Sequence, residues 1–154
     1  MLASTKGRYG LRMMIDIARN QDEEGKISLR EIGERQGISV KYLEQLARLL
    51  CASGLLRGSR GQGGGYVLAR PTDQISAGDI LRATEGSTAP VFCLNPTNGN
   101  CPRSWACETV GFWRGLEDAI EAYVDGVTLA DLVCECEEGG VTPGPCLGVS
   151  HRAS

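Results

Sequence analysis

The feature that most constrains this fold is a pair of helix-forming segments separated by one glycine turn. Ser28 and Glu31 have the spacing of a capping box, so the first helix is predicted to begin there and to run to about Gln36. Gly37 provides the turn, and Ser39 is typical of the N-cap of a second helix. The apolar positions of the second helix predict one broad core-facing stripe: Leu43, Leu46, Ala47, Leu49 and Leu50. The pattern therefore predicts a helix-turn-helix.

A glycine-rich hairpin is predicted directly after these helices. Gly54 should end the second helix, and the alternation in residues 55–59 and 65–69 predicts two paired strands with residues 60–64 at the tip. A phosphate-binding nucleotide loop is the rival interpretation of GSRGQGGG. Such a loop leads into a helix N-terminus, whereas this one leads into the strand pattern YVLA, so a wing is favoured.

The polar side chains of this unit point to duplex DNA. In a helix-turn-helix the second helix offers side chains near its N-terminus to base edges in the major groove. The side chains of that helix that can face outward are Lys41, Tyr42, Glu44, Gln45 and Arg48. Arg57 and Arg60 lie where a wing would meet phosphates or a minor groove, and the tip glycines allow close backbone approach. A winged helix-turn-helix that binds double-stranded DNA is the prediction.

The two halves of the chain differ in charge. The net charge of −3 over 154 residues would not by itself suggest a DNA-binding protein. Residues 1–70, however, carry 12 basic and 7 acidic side chains, a balance of +5, whereas residues 71–154 carry 4 and 12, a balance of −8. This asymmetry indicates a basic nucleic-acid-binding module joined to an acidic half with a different task.

The N-terminus and the cysteines indicate a compartment. Lys6, Arg8 and Arg12 interrupt the first apolar segment, so it lacks the form of a signal peptide, and no apolar run reaches the length of a membrane span. We therefore expect a cytoplasmic protein with no membrane partner. Seven cysteines in a reducing compartment favour metal or redox chemistry over structural disulfides.

A cysteine-dependent enzyme is a competing class of function. The only histidine is His151, close to the C-terminus, so no Cys–His pair is anchored in the predicted fold. No C-x-x-C redox motif occurs either. We therefore predict no catalytic residues.

Helices flank the DNA-binding pair on both sides. Ser4 can cap a first helix that ends at about Asn20, and Lys6, Arg8 and Tyr9 at its start are candidates for phosphate contact. After the wing, SAGDILRATEG predicts a short capped helix. The fold class is thus mostly α with a small β-hairpin wing.

The second half of the chain combines a long loop with a long helix. Residues 86–103 are rich in Pro, Asn, Gly and Thr, and a loop of this length usually has a function. Residues 104–126 predict one long helix whose apolar face exceeds the need of one small domain, so we interpret it as a dimerisation helix. Thr128 should begin a short helix, TLADLV, and residues 134–154 are predicted to be a flexible tail.

Several of these motifs occur together in one known family. STKGRYGLR, ISVKYLEQL, RGQGGGYVL, SAGDILRATEG and TLADL resemble, in order and spacing over roughly residues 1–133, the Rrf-two family of bacterial transcription regulators, also called BadM or IscR-like. The resemblance implies a homodimer that binds imperfect palindromes in double-stranded DNA, with repressor among its expected roles. It divides the chain into a winged helix-turn-helix domain (1–86), a cysteine-bearing sensor loop (87–107), a dimerisation helix region (103–133) and the tail.

The resemblance also assigns DNA contacts by position. It places base or backbone contacts at seven residues: Ser39, Lys41, Tyr42, Glu44, Gln45, Arg60 and Gly61. Arg60 is the strongest candidate, because an arginine at a flexible wing tip suits a narrow, negative minor groove. Glu44 has two interpretations, since it could accept from a cytosine amino group or act against wrong sequences.

Three cysteines are the candidate metal ligands. Cys93, Cys101 and Cys107 form C-x7-C-x5-C, in which a loop and the start of the long helix can bring thiolates around a soft centre such as an iron-sulfur cluster. The resemblance implies the same cofactor, either [2Fe-2S] or [4Fe-4S], and a signal of cluster status, iron, nitric oxide or oxidants. Structural zinc and a metal-free thiol switch compete, although the spacing has neither C-x2-C pairs nor a nearby histidine for zinc.

A fourth ligand is not evident. Family members that carry a cluster can fill that position with a histidine three residues after the third cysteine, where this chain has Val110, or with a carboxylate near the N-terminus of the partner chain. Glu108, a thiol of Cys134 or Cys136, a tail residue and a small exogenous ligand remain alternatives. Cys51 is expected to be a buried small hydrophobe, and Cys146 has no assigned role.

These predictions combine into one mechanism. A cluster would fix residues 87–107 relative to the helix-turn-helix units of the two protomers. Loss or oxidation of the cluster would change operator affinity, because the cluster favours one of two arrangements of the dimer. The alternative is a cluster-free regulator of the same fold that responds through thiol oxidation, a metabolite or a partner protein.

Overall fold

Six helices and one hairpin form the regular structure of the described residues in the computed structural model. The described residues are 3–21, 25–61, 63–99 and 101–137. The elements are α1 (Thr5–Asn20), α2 (Leu29–Gln36), α3 (Val40–Ala52), β1 (Leu56–Ser59), β2 (Gly65–Leu68), α4 (Ala77–Glu85), α5 (Val110–Gly126) and α6 (Leu129–Glu137). Single 3₁₀ turns lie at Thr72–Gln74, Phe92–Leu94, Pro96–Asn98 and Ser104–Ala106. The predicted fold class is confirmed.

The helices begin where capping side chains predicted them. Ser28 Oγ accepts from the Glu31 backbone N–H at 3.2 Å, and Glu31 Oε2 accepts from the Ser28 N–H at 2.8 Å. Ser76 and Asp79 make the same reciprocal pair at the start of α4. Gly37 takes the left-handed conformation, φ 65°, that ends α2 and opens the turn.

One apolar core is formed by the four helices α1, α2, α3 and α4, together with the base of the hairpin and one residue of α6. Its fully buried side chains are Met13, Met14, Ile17, Ile32, Leu43, Leu46, Leu50, Leu55, Ile75, Ile80 and Leu129. The prediction that Leu49 faces this core is wrong, since Leu49 is 36% exposed. At 3.6 residues per turn it lies roughly a third of a turn from the centre of the buried stripe on α3.

The wing is a two-stranded antiparallel hairpin attached at its base. Arg57 pairs with Val67 and Ser59 with Gly65, so the predicted pairing is confirmed. Ile27, from the segment before α2, adds a further bridge to the hairpin: its N–H donates to the Tyr66 carbonyl at 3.0 Å. The base of the wing therefore belongs to the same body as the helix pair.

The long helix is shorter than its apolar pattern predicted. A separate 3₁₀ turn occupies Ser104–Ala106, Cys107 is extended with ψ 110°, and α5 begins only at Val110. The prediction of continuous helix from residue 104 is therefore wrong. Thr109 stands at the N-cap of α5, but its hydroxyl makes no capping hydrogen bond.

The C-terminal end of α5 is tied to the residues at the start of α4. The Ala77 N–H donates to the Val127 carbonyl and the Leu129 N–H donates to the Ile75 carbonyl, both at 2.8 Å. The following helix, α6, runs to Glu137 and packs against α1, so it is longer than TLADLV and takes in the first residues of the predicted tail. The rest of that tail lies outside the described residues. Among the helices that the structure describes, none is long and apolar enough to cross a bilayer.

Candidate nucleic-acid interface and cysteine cleft

The predicted DNA-reading side chains lie along the outward side of α3. Four of them are exposed: Lys41, Glu44, Gln45 and Arg48. Ser39 is the N-cap, and its hydroxyl accepts from the Tyr42 N–H at 3.3 Å. Two basic side chains and two hydrogen-bonding side chains therefore project from one helix face, which suits the major groove of DNA.

Tyr42 differs from the other candidates because it is half-buried. Its ring meets the Tyr9 ring of α1 edge to face, with centroids 5.7 Å apart and planes at 85°. The Arg12 guanidinium lies 5.3 Å from the centroid of the same Tyr9 ring. The start of α3 is thus packed directly against α1, and the orientation of α3 depends on that contact.

Lys6 of α1 shares the surface of the reading helix. A shallow cleft of about 200 Å³ is lined by Lys6, Tyr42, Gln45, Leu46, Arg48 and Leu49. The sequence offered Lys6 only as a candidate for phosphate contact, because nothing in its spacing relates the start of α1 to α3. Packing of α1 on α3 creates this shared surface, and Leu49, turned out of the core, forms part of it.

The wing presents its two arginines to solvent. Arg57 on β1 and Arg60 at the tip are both exposed, as predicted for side chains that meet phosphates or a minor groove. Gly61 beside Arg60 has φ 102°, and the Gly64 N–H donates to the Gly61 carbonyl at 2.9 Å to close the turn. At the base of the tip, Lys26 Nζ donates to Ser59 Oγ at 2.9 Å.

An ion pair between the buried Asp16 and the partly exposed Arg35 fixes the helix-turn-helix to α1. The Asp16 carboxylate is 3% exposed and accepts from the Arg35 guanidinium at 2.6 Å and from Gln36 Nε2 at 2.8 Å. The hydrogen bond from Asp16 raises the pKa of Arg35 above its ordinary value. Because α2 ends at Gln36, this contact sets the position of the turn that leads into α3.

The three predicted ligand cysteines surround one cleft of about 400 Å³ in the second half of the chain. Cys93 is exposed, and Cys101 and Cys107 are half-buried. The rest of the lining comprises Leu94, Ser104, Val110, Trp113 and Arg114. The last three recur at helical spacing on α5, a signal that could have identified them from the sequence.

The donor chemistry of this cleft fits a thiophilic group. The Thr109 hydroxyl, 3.5 Å from Cys107 Sγ, lowers the pKa of that thiol, helped by the N–H groups of Thr109 and Val110 at the start of α5 and by Arg103. The thiolate is the form that ligates metal. Within the described residues, no group of Cys, His, Asp or Glu side chains surrounds a position for one metal ion. A cluster distributes its thiolates over several iron atoms, so thiols placed around a cleft suit it better than a closed mononuclear site.

Among the described residues, the geometry does not place any of the candidate fourth ligands in the lining of the cleft. Val110 does line the cleft, but it has no donor atom. Glu108 is exposed and is not part of the lining described above, and neither is Cys134, which is half-buried on α6. The side chain of Cys136 and all of Cys146 lie outside the described residues.

Cys51 is separate from this chemistry. It packs at the edge of the core near the end of α3, and burial raises the pKa of its thiol. The expectation of a small hydrophobe is therefore correct in kind, although the side chain is half-buried rather than buried.

A family model described as "Rrf2: Iron-dependent Transcriptional regulator" matches residues 3–135. The chain belongs to the Rrf2 family. The resemblance found in its motifs is confirmed, and so is the winged-helix architecture, because solved structures of Rrf2-type regulators share it.

Relatives of known role cover most of the chain. The regulator IscR of Cronobacter sakazakii is 39% identical over 133 residues, which is 86% of this chain and 80% of the relative. Protein rrf2 of Nitratidesulfovibrio vulgaris is 41% identical over 154 residues, covering 100% and 99%. Among solved structures, IscR of T. potens aligns with TM-score 0.71 at 39% identity, covering 94% of each chain. CymR, described as the global cysteine regulator of B. subtilis, aligns with TM-score 0.71 at 39% identity, covering 87% and 97%.

These similarities establish the general role of the chain. It is an Rrf2-family transcriptional regulator of the IscR-like type, and regulators of this family bind DNA. The relatives named IscR are transcriptional regulators rather than enzymes.

Proposed function

We propose that this Rrf2 regulator is a homodimer that binds imperfect palindromes in double-stranded DNA and senses the state of an iron-sulfur cluster held by Cys93, Cys101 and Cys107. The observation that supports this most strongly is the single cleft around which all three thiols lie. The cleft is walled by α5, the helix whose other end is bonded to the DNA-binding domain. Ligand site and DNA-binding domain therefore share one element.

On the DNA side, exposed basic residues border the proposed groove contacts. Lys41 and Arg48 on α3 flank the base-reading positions Glu44 and Gln45, while Arg60 extends from the wing. Contacts to phosphate set register and affinity, and contacts to base edges set sequence preference. We assign Glu44 and Gln45 to bases and the basic side chains mainly to phosphates, with Arg60 directed to the minor groove.

The dimer is supported by the exposed apolar face of α5. Phe112 is 66% exposed, Leu116 is 36% exposed and Tyr123 is 58% exposed. Their spacing along the helix places them on one side of α5. A continuous apolar face on a helix of 17 residues suits packing against its symmetry copy.

On the sensing side, the three cysteines would hold the cluster as thiolates, and the cluster when bound would supply sensitivity to iron, nitric oxide and oxidants. A structural change at the cluster would reach the DNA-binding domain through the residues at the base of the loop. Thr88 is buried, and its hydroxyl donates to Glu121 Oε1 of α5 at 3.1 Å. Arg82 of α4 pairs with both Glu121 and Asp125 of α5. The loop, α5 and α4 are therefore joined by direct contacts.

Anaerobic purification tests this proposal. The protein is expected to be coloured, with visible charge-transfer absorption, and to contain iron and sulfide in comparable amounts. DNA affinity is then measured before and after removal of the cluster by a chelator under oxidising conditions. A colourless protein free of iron and sulfide, with full DNA affinity, would reject the cluster while leaving the DNA-binding role intact.

A cluster-free regulator is the second candidate. Two observations favour it: the similarity to CymR, one of whose solved structures is described as an oxidized form, and the absence of a donor at Val110. In this version, oxidation of the thiols around the cleft, a metabolite or a partner protein replaces the cluster as the signal. A colourless protein whose DNA affinity changes when its loop thiols are oxidised would support this candidate.

A further inference from the structure

The first turn of α1 is held by a carboxylate from another helix. Glu85, the last residue of α4, accepts from the Ser4 N–H at 2.8 Å, from the Ser4 hydroxyl at 2.7 Å and from the Gly7 N–H at 2.9 Å. These three bonds join residues separated by about 80 positions in sequence. They fix both sides of the short segment that carries Lys6.

Close packing of α1 on α4 makes this contact possible. A Cβ atom at Gly7 would lie 2.5 Å from Glu85 Oε1, and one at Gly10 would lie 2.7 Å from Thr84 Cγ2. Real Cβ atoms do not approach so closely, so a larger residue would require the Glu85 carboxylate to move at position 7 and the Thr84 side chain to move at position 10. Gly7 therefore leaves the space in which the Glu85 carboxylate reaches the start of α1, and Gly10 leaves space for Thr84 one turn further along.

Glu85 also determines which group of α1 can bind a phosphate. Helix N-termini attract phosphates through their free N–H groups. Here the Gly7 N–H is taken by Glu85 and the Lys6 N–H by Ser4 Oγ at 3.0 Å. Lys6 and Arg8 are both exposed at this end, and Lys6 is the one of the two that lines the same cleft as Tyr42, Gln45 and Arg48 of α3.

We propose that Glu85 is a positioning residue for DNA binding: it holds the first turn of α1 so that Lys6 binds a DNA phosphate beside the reading helix. The inference rests on the proposed function, because it assumes that α3 enters the major groove. It adds a contact contributed by α1 and names the residue, on a different helix, that places it. Glu85 itself carries a negative charge and does not touch the DNA.

The test measures DNA affinity as a function of salt on a duplex that the wild-type chain selects from a random pool. Log affinity falls with log salt, and each lost phosphate contact reduces the magnitude of that negative slope by about 0.9, so Lys6→Ala should reduce it by about 1.8 in a dimer. Glu85→Ala should weaken binding several-fold with a similar loss of slope. The double variant should match Lys6→Ala alone, because Glu85 acts through Lys6.

Two further variants separate positioning from charge and from folding. Glu85→Gln keeps an acceptor oxygen for the N–H groups of α1 and removes the negative charge, so its slope should return close to that of the wild type. Asp118→Ala removes an exposed carboxylate on α5 and serves as the matched control, with no change in slope. Thermal unfolding of each variant checks that the fold is kept.

The results that overturn the proposal are specific. An unchanged slope for Lys6→Ala rejects the phosphate contact, even if Glu85→Ala does not fold. If Glu85→Gln and Glu85→Ala have equal DNA affinity and equal salt slope, positioning by hydrogen bonds is rejected. It is also rejected if the loss of affinity in the double variant is the sum of the two single losses. Failure of the wild type to enrich any duplex would instead reject the proposed function, so the two failures are distinguishable.

Discussion

The DNA-binding half and the cysteine half of this molecule are built differently. In the first, four helices close around one core, and the buried Asp16 carboxylate fixes the turn through its ion pair with Arg35. In the second, three short 3₁₀ turns lead into a helix on which Val124 is the one buried side chain. Trp105 is 88% exposed and Phe92 78% exposed beside the cysteine cleft. The first half encloses an apolar core to which the second half adds Leu129 of α6, whereas the second half has exposed surfaces that a second copy and a thiophilic group would cover.

The largest expected effect concerns the cysteine half. Changing Cys93, Cys101 or Cys107 to Ala should abolish cluster binding, because each removes one of the three thiolates around the cleft. Cys51→Ala is the matched control, since that thiol packs at the core edge and should leave the cluster intact. Iron, sulfide and visible absorption report the result. A full cluster in all three loop variants would contradict the assignment.

A pair of truncations compares the buried core of the first half with the exposed apolar face of α5. Leu46→Ala should lower the free energy of unfolding by about 2–5 kcal/mol, because Leu46 is buried at the centre of the first half. Phe112→Ala should change the unfolding of the isolated protomer little, since its ring is exposed, but should weaken dimerisation. Chemical denaturation and sedimentation over a concentration series measure the two quantities. A wild-type chain that stays monomeric at every concentration would contradict the role given to α5.

Arg60→Ala tests the wing. It should weaken specific DNA binding by about 1–3 kcal/mol if the guanidinium reads a minor groove. Ser59→Ala is a neighbouring control at the base of the tip: it removes the hydrogen bond from Lys26 but no positive charge. Fluorescence anisotropy on the selected duplex measures both, and equal affinity of Arg60→Ala and wild type would remove this contact from the interface.

The smallest effect is a pH dependence at the start of α2. Hydrogen bonds from the Ser28 side chain and backbone lower the pKa of Glu31 below its ordinary value. A carboxylate with a lowered folded-state pKa stabilises the fold above its unfolded pKa and loses that contribution as pH falls through the folded value. Glu31→Gln should therefore lower the melting temperature slightly at neutral pH, and the difference from wild type should shrink in acid. A difference that stays constant between pH 7 and pH 3 would contradict this.

The sequence was sufficient wherever a feature depends on neighbouring residues. Capping pairs such as Ser28 with Glu31 located helix starts, and Gly37 located the turn, because both act within one helical turn. The strands of the wing followed from alternation and from the glycines between them. Family motifs extended this local information to the whole fold.

Features that depend on packing between distant segments were not predictable in the same way. Leu49 carries an apolar side chain at a position that packing leaves outside, so its residue type was misleading. The late start of α5 depends on the backbone at Cys107, and apolar spacing carries no information about that. Cys93, Cys101 and Cys107 could be named from the sequence, and helical spacing groups Val110, Trp113 and Arg114 on one face of α5, but only the folded chain shows that this face lines the cleft of the three cysteines.

The two backbone hydrogen bonds that join Ala77 to Val127 and Leu129 to Ile75 have a consequence for how such proteins can be re-engineered. These bonds fasten the far end of α5 to the DNA-binding domain, and the Thr88 hydrogen bond to Glu121 fastens the entrance of the loop. We therefore expect that the segment between Thr88 and Val110 can be replaced without moving the DNA-binding domain. Grafting a loop with another cysteine spacing between Thr88 and Val110 should retune what the regulator detects while its operator preference is inherited unchanged.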